Sequence, residues 1–261
     1  MNAANPMGRV VWITGASSGI GRALALNLAS RGDRVAASAR GEAELRSLAE
    51  EAATAAGGIH PYPLDITDAE SCAVTVDRVS DELGPITLAI LNAGTHHPID
   101  VEDFAAADLQ RLVGVNLVGT GNCLDPLLKR MIPAKSGHIA IVASVAGYRG
   151  LPTSAYYGAS KAAQINLAEA LKFDLDRHGI KLQLVNPGFV RTPLTDKNAF
   201  PMPFLMEVED AAERMARGFE ISAFEITFPR RFAYLLKLLR MLPYRLYFPI
   251  VGWMTGRSST G

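Results

Sequence analysis

Residues 9–21, RVVWITGASSGIG, decide how the rest of the chain is read. The first six are a short apolar run rich in β-branched residues, which fits a strand buried on both faces. Glycines at 15, 19 and 21 follow at once, and from Arg22 to Ser30 the apolar spacing is helical. Strand, glycine turn and helix in that order let the backbone bend tightly beside a helix N-terminus. Gly15, Gly19 and Gly21 then allow a pyrophosphate to approach amides that lack an intrahelical partner. The alternative is a plain glycine-rich turn between a strand and a helix.

The same alternation continues downstream. Strands are expected at 34–39, 59–64, 86–91, 138–143, 180–186 and 225–228, and helices at 41–56, 68–83, 157–175 and 209–221. Asp68 is read as the N-cap of its helix. A long helical pattern at 103–131 is expected to bend near Gly119, Gly121 and Pro126. The fold class is therefore α/β, a single Rossmann-type doubly wound parallel sheet of about seven strands flanked by helices, with a C-terminal helical extension. Residues 1–225 form the nucleotide-binding and catalytic part, and 226–261 are the tail of the same domain.

At 261 residues, 49% of them hydrophobic, the chain can bury a sizeable core. Its 26 basic and 26 acidic residues cancel, so no overall field favours nucleic acid, and none is expected as a partner. Cys72 and Cys123 stand far apart without CxxC or Cys/His spacing and are read as reduced, core-filling thiols. No metal site is expected at His96 and His97, which project in different directions and have no acidic or cysteine partner at ligand spacing. They are read as lining a cleft mouth or facing solvent. The N-terminal residues carry no apolar export segment, and no apolar run reaches the roughly 18 residues of a spanning helix. A cytoplasmic location is expected, with peripheral membrane contact open.

Residues 144–161, SVAGYRGLPTSAYYGASK, hold the chemistry. Tyr157 and Lys161, four apart, lie one turn above one another on a helix capped near Ser154. An ammonium beside a phenol favours the phenolate, so Lys161 is expected to lower the Tyr157 pKa. Tyr156 lacks that spacing and is read as a packing residue. Ser144 closes the fifth strand, at the edge where open α/β sheets bind ligands. Arg40 ends the second strand about 20 residues after the glycine turn, where a dinucleotide ribose is read. A guanidinium there pairs with a 2'-phosphate, so NADP(H) is favoured over NAD(H), with Ser38 or the Gly41 backbone as helpers. The alternative is a solvated surface arginine.

The GxxxGxG spacing of residues 15–21, with Asn92-Ala93-Gly94, Asn116, Ser144 and the Tyr157/Lys161 pair, resembles the classical short-chain dehydrogenase/reductase (SDR) family over about residues 9–192. That resemblance implies an NAD(P)-dependent oxidoreductase interconverting a carbonyl and an alcohol. Tyr157 would be the acid/base and Ser144 a hydrogen-bond donor to the substrate oxygen. Lys161 would tune Tyr157 and bind the nicotinamide ribose, and the Asn116 backbone carbonyl would hold a relay water. It also implies a cofactor groove built from Gly15, Ser17, Ser18, Gly19, Ile20 and Gly21. Asp65 and Ile66 would lie at the adenine, Asn92, Ala93 and Gly94 beside the adenine ribose, and Pro187, Gly188, Val190 and Thr192 around the nicotinamide. A homodimer or homotetramer is implied as well. For Asp65 an Asx-turn or N-cap role stays open. Two other readings are a 3-oxoacyl or hydroxysteroid-type dehydrogenase and a non-catalytic NADP-binding sensor or scaffold. The complete Ser/Tyr/Lys/Asn set argues against the sensor.

Residues 188–207 are proline-rich without periodicity and are read as a substrate lid. Phe189, Phe200, Met202, Phe204, Leu205 and Met206 would face Tyr148 and Leu151 across a pocket for a small apolar carbonyl or alcohol, or else simply pack the loop down. The tail from 226 to 261 has six basic residues, no acidic one and seven of the nineteen aromatics. On a helix at 231–242, Lys237 and Arg240 make a basic stripe opposite an apolar face. That pattern suits an anionic membrane surface, a packed terminal helix or a subunit contact.

Overall fold

Seven β-branched or small-residue runs become the strands of one sheet. The computed structural model of the chain describes residues 8–197 and 202–257. Strands β1 (Val10–Thr14), β2 (Arg34–Ala39), β3 (Ile59–Pro63), β4 (Leu88–Leu91), β5 (Gly137–Val142), β6 (Ile180–Pro187) and β7 (Glu225–Phe228) pair in the order β3-β2-β1-β4-β5-β6-β7. Every pairing is parallel. Pro61 and Pro63 stand in β3, an edge strand, where a missing N–H interrupts no inner ladder.

Successive side chains of a strand point to opposite faces, so β1 feeds two cores: Val10 and Trp12 enter one, Val11 and Ile13 the other. Helices α1 (Gly19–Ser30), α2 (Glu42–Glu51) and α7 (Val208–Phe219) cover the Val11 face. The Trp12 face is covered by α3 (Ala69–Leu83), α5 (Gly119–Ala134) and α6 (Ala155–Arg177). This is the expected doubly wound sheet. Asp68 caps α3 as expected, its carboxylate accepting from the Ser71 amide at 3.1 Å.

Three elements differ from expectation. Helix α2 ends at Glu51, and residues 52–56 continue as turns. The irregularity within 103–131 is a π-helical stretch, Gly114–Val118, between α4 (Ala106–Val113) and α5, and α5 runs through Pro126. Gly119 serves close packing instead, since a Cβ there would lie 2.7 Å from Ile66 Cδ1. The tail forms two helices, α8 (Arg230–Met241) and α9 (Tyr244–Met254). Leu242, which precedes Pro243, is extended with ψ 140°, the conformation a following proline imposes. Phe232, Leu236, Leu239, Tyr247 and Val251 join the Trp12-side core, each burial contributing roughly 1.5–3 kcal/mol. No helix among the described residues is long and apolar enough to cross a membrane.

Candidate active site

The C-terminal ends of the parallel strands share one edge, and the strand order reverses between β1 and β4. There the turn after β1 is tied to the turn after β4. Asn92 Nδ2 donates to the carbonyls of Thr14 and Gly15 at 3.1 and 3.2 Å, and Thr14 Oγ1 accepts from the amides of Asn92 and Ala93 at 3.1 Å. Gly15 has φ +70°, and a Cβ on it would stand 2.8 Å from Ala93 Cα; on Gly21 it would stand 2.2 Å from the Gly15 carbonyl oxygen. Side chains at these two positions would push α1 off the sheet. Ser18, at the N-cap, makes no side-chain capping bond, so the first amides of α1 remain for an anion. Ser17 and Ile20 are half-buried in the same turn. Across the groove, Thr192 Cγ2 lies 3.1 Å from the position of a Gly19 Cβ.

Arg40 is exposed at the end of β2. Asp65 accepts the Thr67 amide at 2.9 Å and the Thr67 hydroxyl at 2.8 Å, forming the Asx-type turn left open above. Its carboxyl is held below the ordinary value chiefly by that amide, with the Arg40 charge contributing. Ile66 packs on Gly119 and its carbonyl accepts from Asn122 Nδ2 at 2.9 Å. Ser38 is not a ribose helper: it is buried, and its hydroxyl accepts the Trp12 indole N–H at 2.9 Å on the core side of the sheet.

Tyr157 and Lys161 occupy the first turns of α6 and converge on the end of β5. Beside Tyr157, the Ser144 Oγ accepts from the Ala146 amide at 3.1 Å and donates to the Pro187 carbonyl at 3.3 Å. His96 is buried with its ring edge-on to Tyr157, centroids 4.7 Å apart, whereas His97 is exposed. Lys161 is only 3% exposed, and its Nζ donates to the Val142 carbonyl and to Gln164 Oε1, each at 2.8 Å. It stands 5.6 Å from the Tyr157 ring centroid. The expected acidification of Tyr157 by Lys161 is therefore not found. Burial pushes Tyr157 up to about 12, with the neighbouring Ser144 hydroxyl opposing it, and burial pushes Lys161 down to about 7. Both groups are desolvated together, and neutral acceptors hold the ammonium away from the phenol.

Asn116 sits in the π-helical turn and is fully buried. Its side chain accepts from the Thr95 amide at 2.7 Å and donates to the Thr95 carbonyl and Ser160 Oγ at 3.0 and 2.9 Å. Its backbone carbonyl accepts from Thr120 Oγ1 and Gln164 Nε2, both at 2.7 Å. A carbonyl has two lone pairs. Two protein groups thus donate to the carbonyl at which the resemblance implies a relay water. Gln164 was missed in the sequence, although 157, 161 and 164 share one helical stripe. A Cβ at Gly94 would lie 3.5 Å from Lys161 Nζ, so the turn after β4 opens onto the lysine.

A cleft of about 480 Å³ runs from these groups. Ser144, Tyr157 and His96 form its polar end, and Leu151, Phe189 and Pro203 contribute apolar wall. Met202, Leu205 and Met206 do not line it; Met206 bridges Val190 and packs on the Val11-side core. Phe204 lies 5.9 Å from the Phe232 ring, and Phe200 is outside the described residues. Tyr148 turns away, donating its hydroxyl to Glu225 at 2.6 Å. The opposite wall comes from the tail, through Phe232, Leu236 and Leu239 of α8 and Val251 and Met254 of α9. Lys237, expected in a solvent-facing stripe, pairs inward with Glu225. Arg149 fastens the tail: its Nη1 reaches the carbonyls of Leu239, Arg240 and Leu242 at 2.9, 3.0 and 2.6 Å, and its guanidinium stacks 3.8 Å from the Tyr247 centroid.

A doubly wound sheet whose switch-point groove ends in a Ser/Tyr/Lys group defines an oxidoreductase of the dinucleotide-fold class. Residues 9–200 match the short chain dehydrogenase family, and the chain belongs to it. It is 37% identical over 239 residues to an uncharacterized oxidoreductase of Myxococcus xanthus, covering 92% of this chain and 94% of that one. It is 35% identical over 190 residues to a 3-oxoacyl-[acyl-carrier-protein] reductase of Thermotoga maritima, covering 73% and 77%. Among solved structures, actinorhodin polyketide ketoreductase with NADPH superposes with a TM-score of 0.78 at 27% identity, covering 87% of this chain and 97% of that one. A short-chain dehydrogenase/reductase of Mycobacterium marinum gives 0.77 at 28%, covering 84% and 93%.

Proposed function

We propose that the chain reduces a ketone or aldehyde on an apolar substrate using NADPH, with alcohol oxidation as the reverse. The observation that carries this reading is the placement of Ser144 and Tyr157 together on the wall of a cleft lined mainly by apolar side chains. When bound, the nicotinamide supplies the hydride. Negative charge then builds on the substrate oxygen. Ser144 donates a hydrogen bond to that oxygen, and Tyr157 passes it the phenolic proton. Lys161, oriented by Val142 and Gln164, stands 5.6 Å from the ring of the phenolate that remains. In the oxidative direction that phenolate is the base.

The residues present fit the dinucleotide. The uncapped first amides of α1 suit the pyrophosphate and Arg40 the 2'-phosphate, with Asp65 and Ile66 toward the adenine. Asn92, Ala93 and Gly94 shape the floor of the groove, and Pro187, Gly188, Val190 and Thr192 its nicotinamide end. Ketone reduction as the working direction is supported by the two relatives named for 3-oxoacyl and polyketide ketone reduction. The test is NADPH consumption with a series of ketones of increasing chain length. Rising kcat/KM with apolar length supports the reading, and no turnover of any member refutes it.

A further inference from the structure

We infer that the outer face of α8 and α9 docks on an anionic lipid surface and that the cleft draws its apolar substrate from that surface. The second half rests on the reading above; the first does not. Helix α8 is apolar on two opposite faces. Phe232, Leu236 and Leu239 are buried, while Tyr234, Leu238 and Met241, each two residues further and so about 200° around the helix, are exposed, Met241 at 81%. In α9 only Tyr247, Val251 and Gly252 are buried, and Tyr244, Phe248 and Trp253 face out, Trp253 at 79%. Each of these two short helices thus presents an exposed apolar and aromatic face, of the composition that settles at a bilayer interface.

The charges around this surface decide what covers it. Arg230, Arg231, Arg240 and Arg245 are all exposed and make no salt bridge among the described residues. Elsewhere, Arg46, Arg78 and Arg130 each pair with a carboxylate, while Arg40 and Arg214 stand singly rather than in a group. No acidic residue occurs from 226 to 261. A second copy of the chain docking two-fold through this face would set arginines against arginines, because a two-fold contact brings the same patch to itself. An anionic lipid headgroup layer complements the arginines and accepts the aromatics. Neither helix can span a bilayer, so the contact is interfacial.

The same helices wall the cleft. Leu236, Leu239 and Val251 line it from within, and Met254 both lines it and is exposed. Met254 therefore joins the cleft to the docking face, and an apolar carbonyl compound dissolved in lipid would enter beside it, while Asp100, paired with Arg257, and Asp103 also line the cleft.

Flotation of the full chain with vesicles tests docking without any turnover. Vesicles of phosphatidylcholine with phosphatidylglycerol are expected to carry the protein and pure phosphatidylcholine vesicles to leave it behind. Each of Arg231→Glu, Arg240→Glu and Arg245→Glu should weaken partitioning about five-fold or more, the equivalent of about 1 kcal/mol per lost positive charge. Trp12 is buried, so a vesicle-induced change in tryptophan fluorescence reports Trp253, and Trp253→Ser should abolish it. Retained NADPH binding by the variants shows that they fold. Equal binding to neutral and anionic vesicles, or to neither, overturns the inference. So does a wild-type oligomer that Trp253→Ser converts to monomer. Flotation without turnover of any ketone would leave docking standing and remove the carbonyl-reductase reading and lipid delivery together.

Discussion

Gln164 joins Lys161 to Asn116: its Oε1 accepts from Lys161 Nζ at 2.8 Å while its Nε2 donates to the Asn116 carbonyl at 2.7 Å. All three residues are buried, so the amide fixes the ammonium and closes the carbonyl with one side chain. Gln164→Leu should leave a buried donor on Lys161 without its partner and cost about 1–3 kcal/mol of stability in denaturant unfolding. Gln164→Glu sets a carboxylate beside the ammonium and should raise the Lys161 pKa, read by NMR titration of the labelled lysine. Equal titrations in wild type and Gln164→Glu would show that position 164 does not govern the lysine.

Lys161 also predicts a pH dependence of stability. Its folded pKa of about 7 lies below the ordinary 10.5, so between those values the unfolded chain binds more protons than the folded one. Stability from this group therefore rises with pH across that window. Unfolding of wild type and Lys161→Met measured from pH 7 to 10 should show wild type gaining on the variant as pH rises. A constant difference would mean that the lysine keeps its charge inside the fold.

Cofactor preference should follow Arg40. Arg40→Asp removes a charge-assisted bond worth about 1.5–3 kcal/mol, so the ratio of kcat/KM with NADPH to that with NADH should fall at least about ten-fold. An unchanged ratio takes Arg40 out of the 2'-phosphate site.

Arg149 should hold the cleft wall in place. Arg149→Ala removes its contacts to three carbonyls at the end of α8 and its stacking on Tyr247, and should cost about 2–4 kcal/mol. Hydrogen exchange should quicken in α8 and α9 before the central strands. Uniform exchange across the chain would show that the tail does not open separately.

Much of the fold was legible because its signals are local. β-branched runs between glycines give strands, and Asp68 with Ser71 three residues on gives a cap. The sheet edge that gathers Ser144, Tyr157 and Lys161 follows from strand-helix alternation alone. What was not legible depends on contacts between distant residues. Apolar spacing does not distinguish an α-turn from the π-turn at Asn116, whose carbonyl partners are Thr120 and Gln164. The direction of the Tyr157 shift turns on burial and on where Lys161 points, which is set by Val142 in β5. The tail is apolar around most of its circumference, so its sequence did not say which face joins the cleft. Arg149, one basic residue in a loop, gave no sign of the three carbonyls it binds.

Tyr157 passes its proton as hydride reaches the carbonyl carbon in the proposed reaction. Single-turnover oxidation of bound NADPH by a reducible ketone, in wild type and Tyr157→Phe, isolates that step, with NADPH affinity measured alongside. NADPH affinity should be unchanged and the rate at least about a hundred-fold lower in the variant, the low end of what a positioned acid contributes. Hydride transfer at the wild-type rate in Tyr157→Phe would contradict proton transfer from Tyr157.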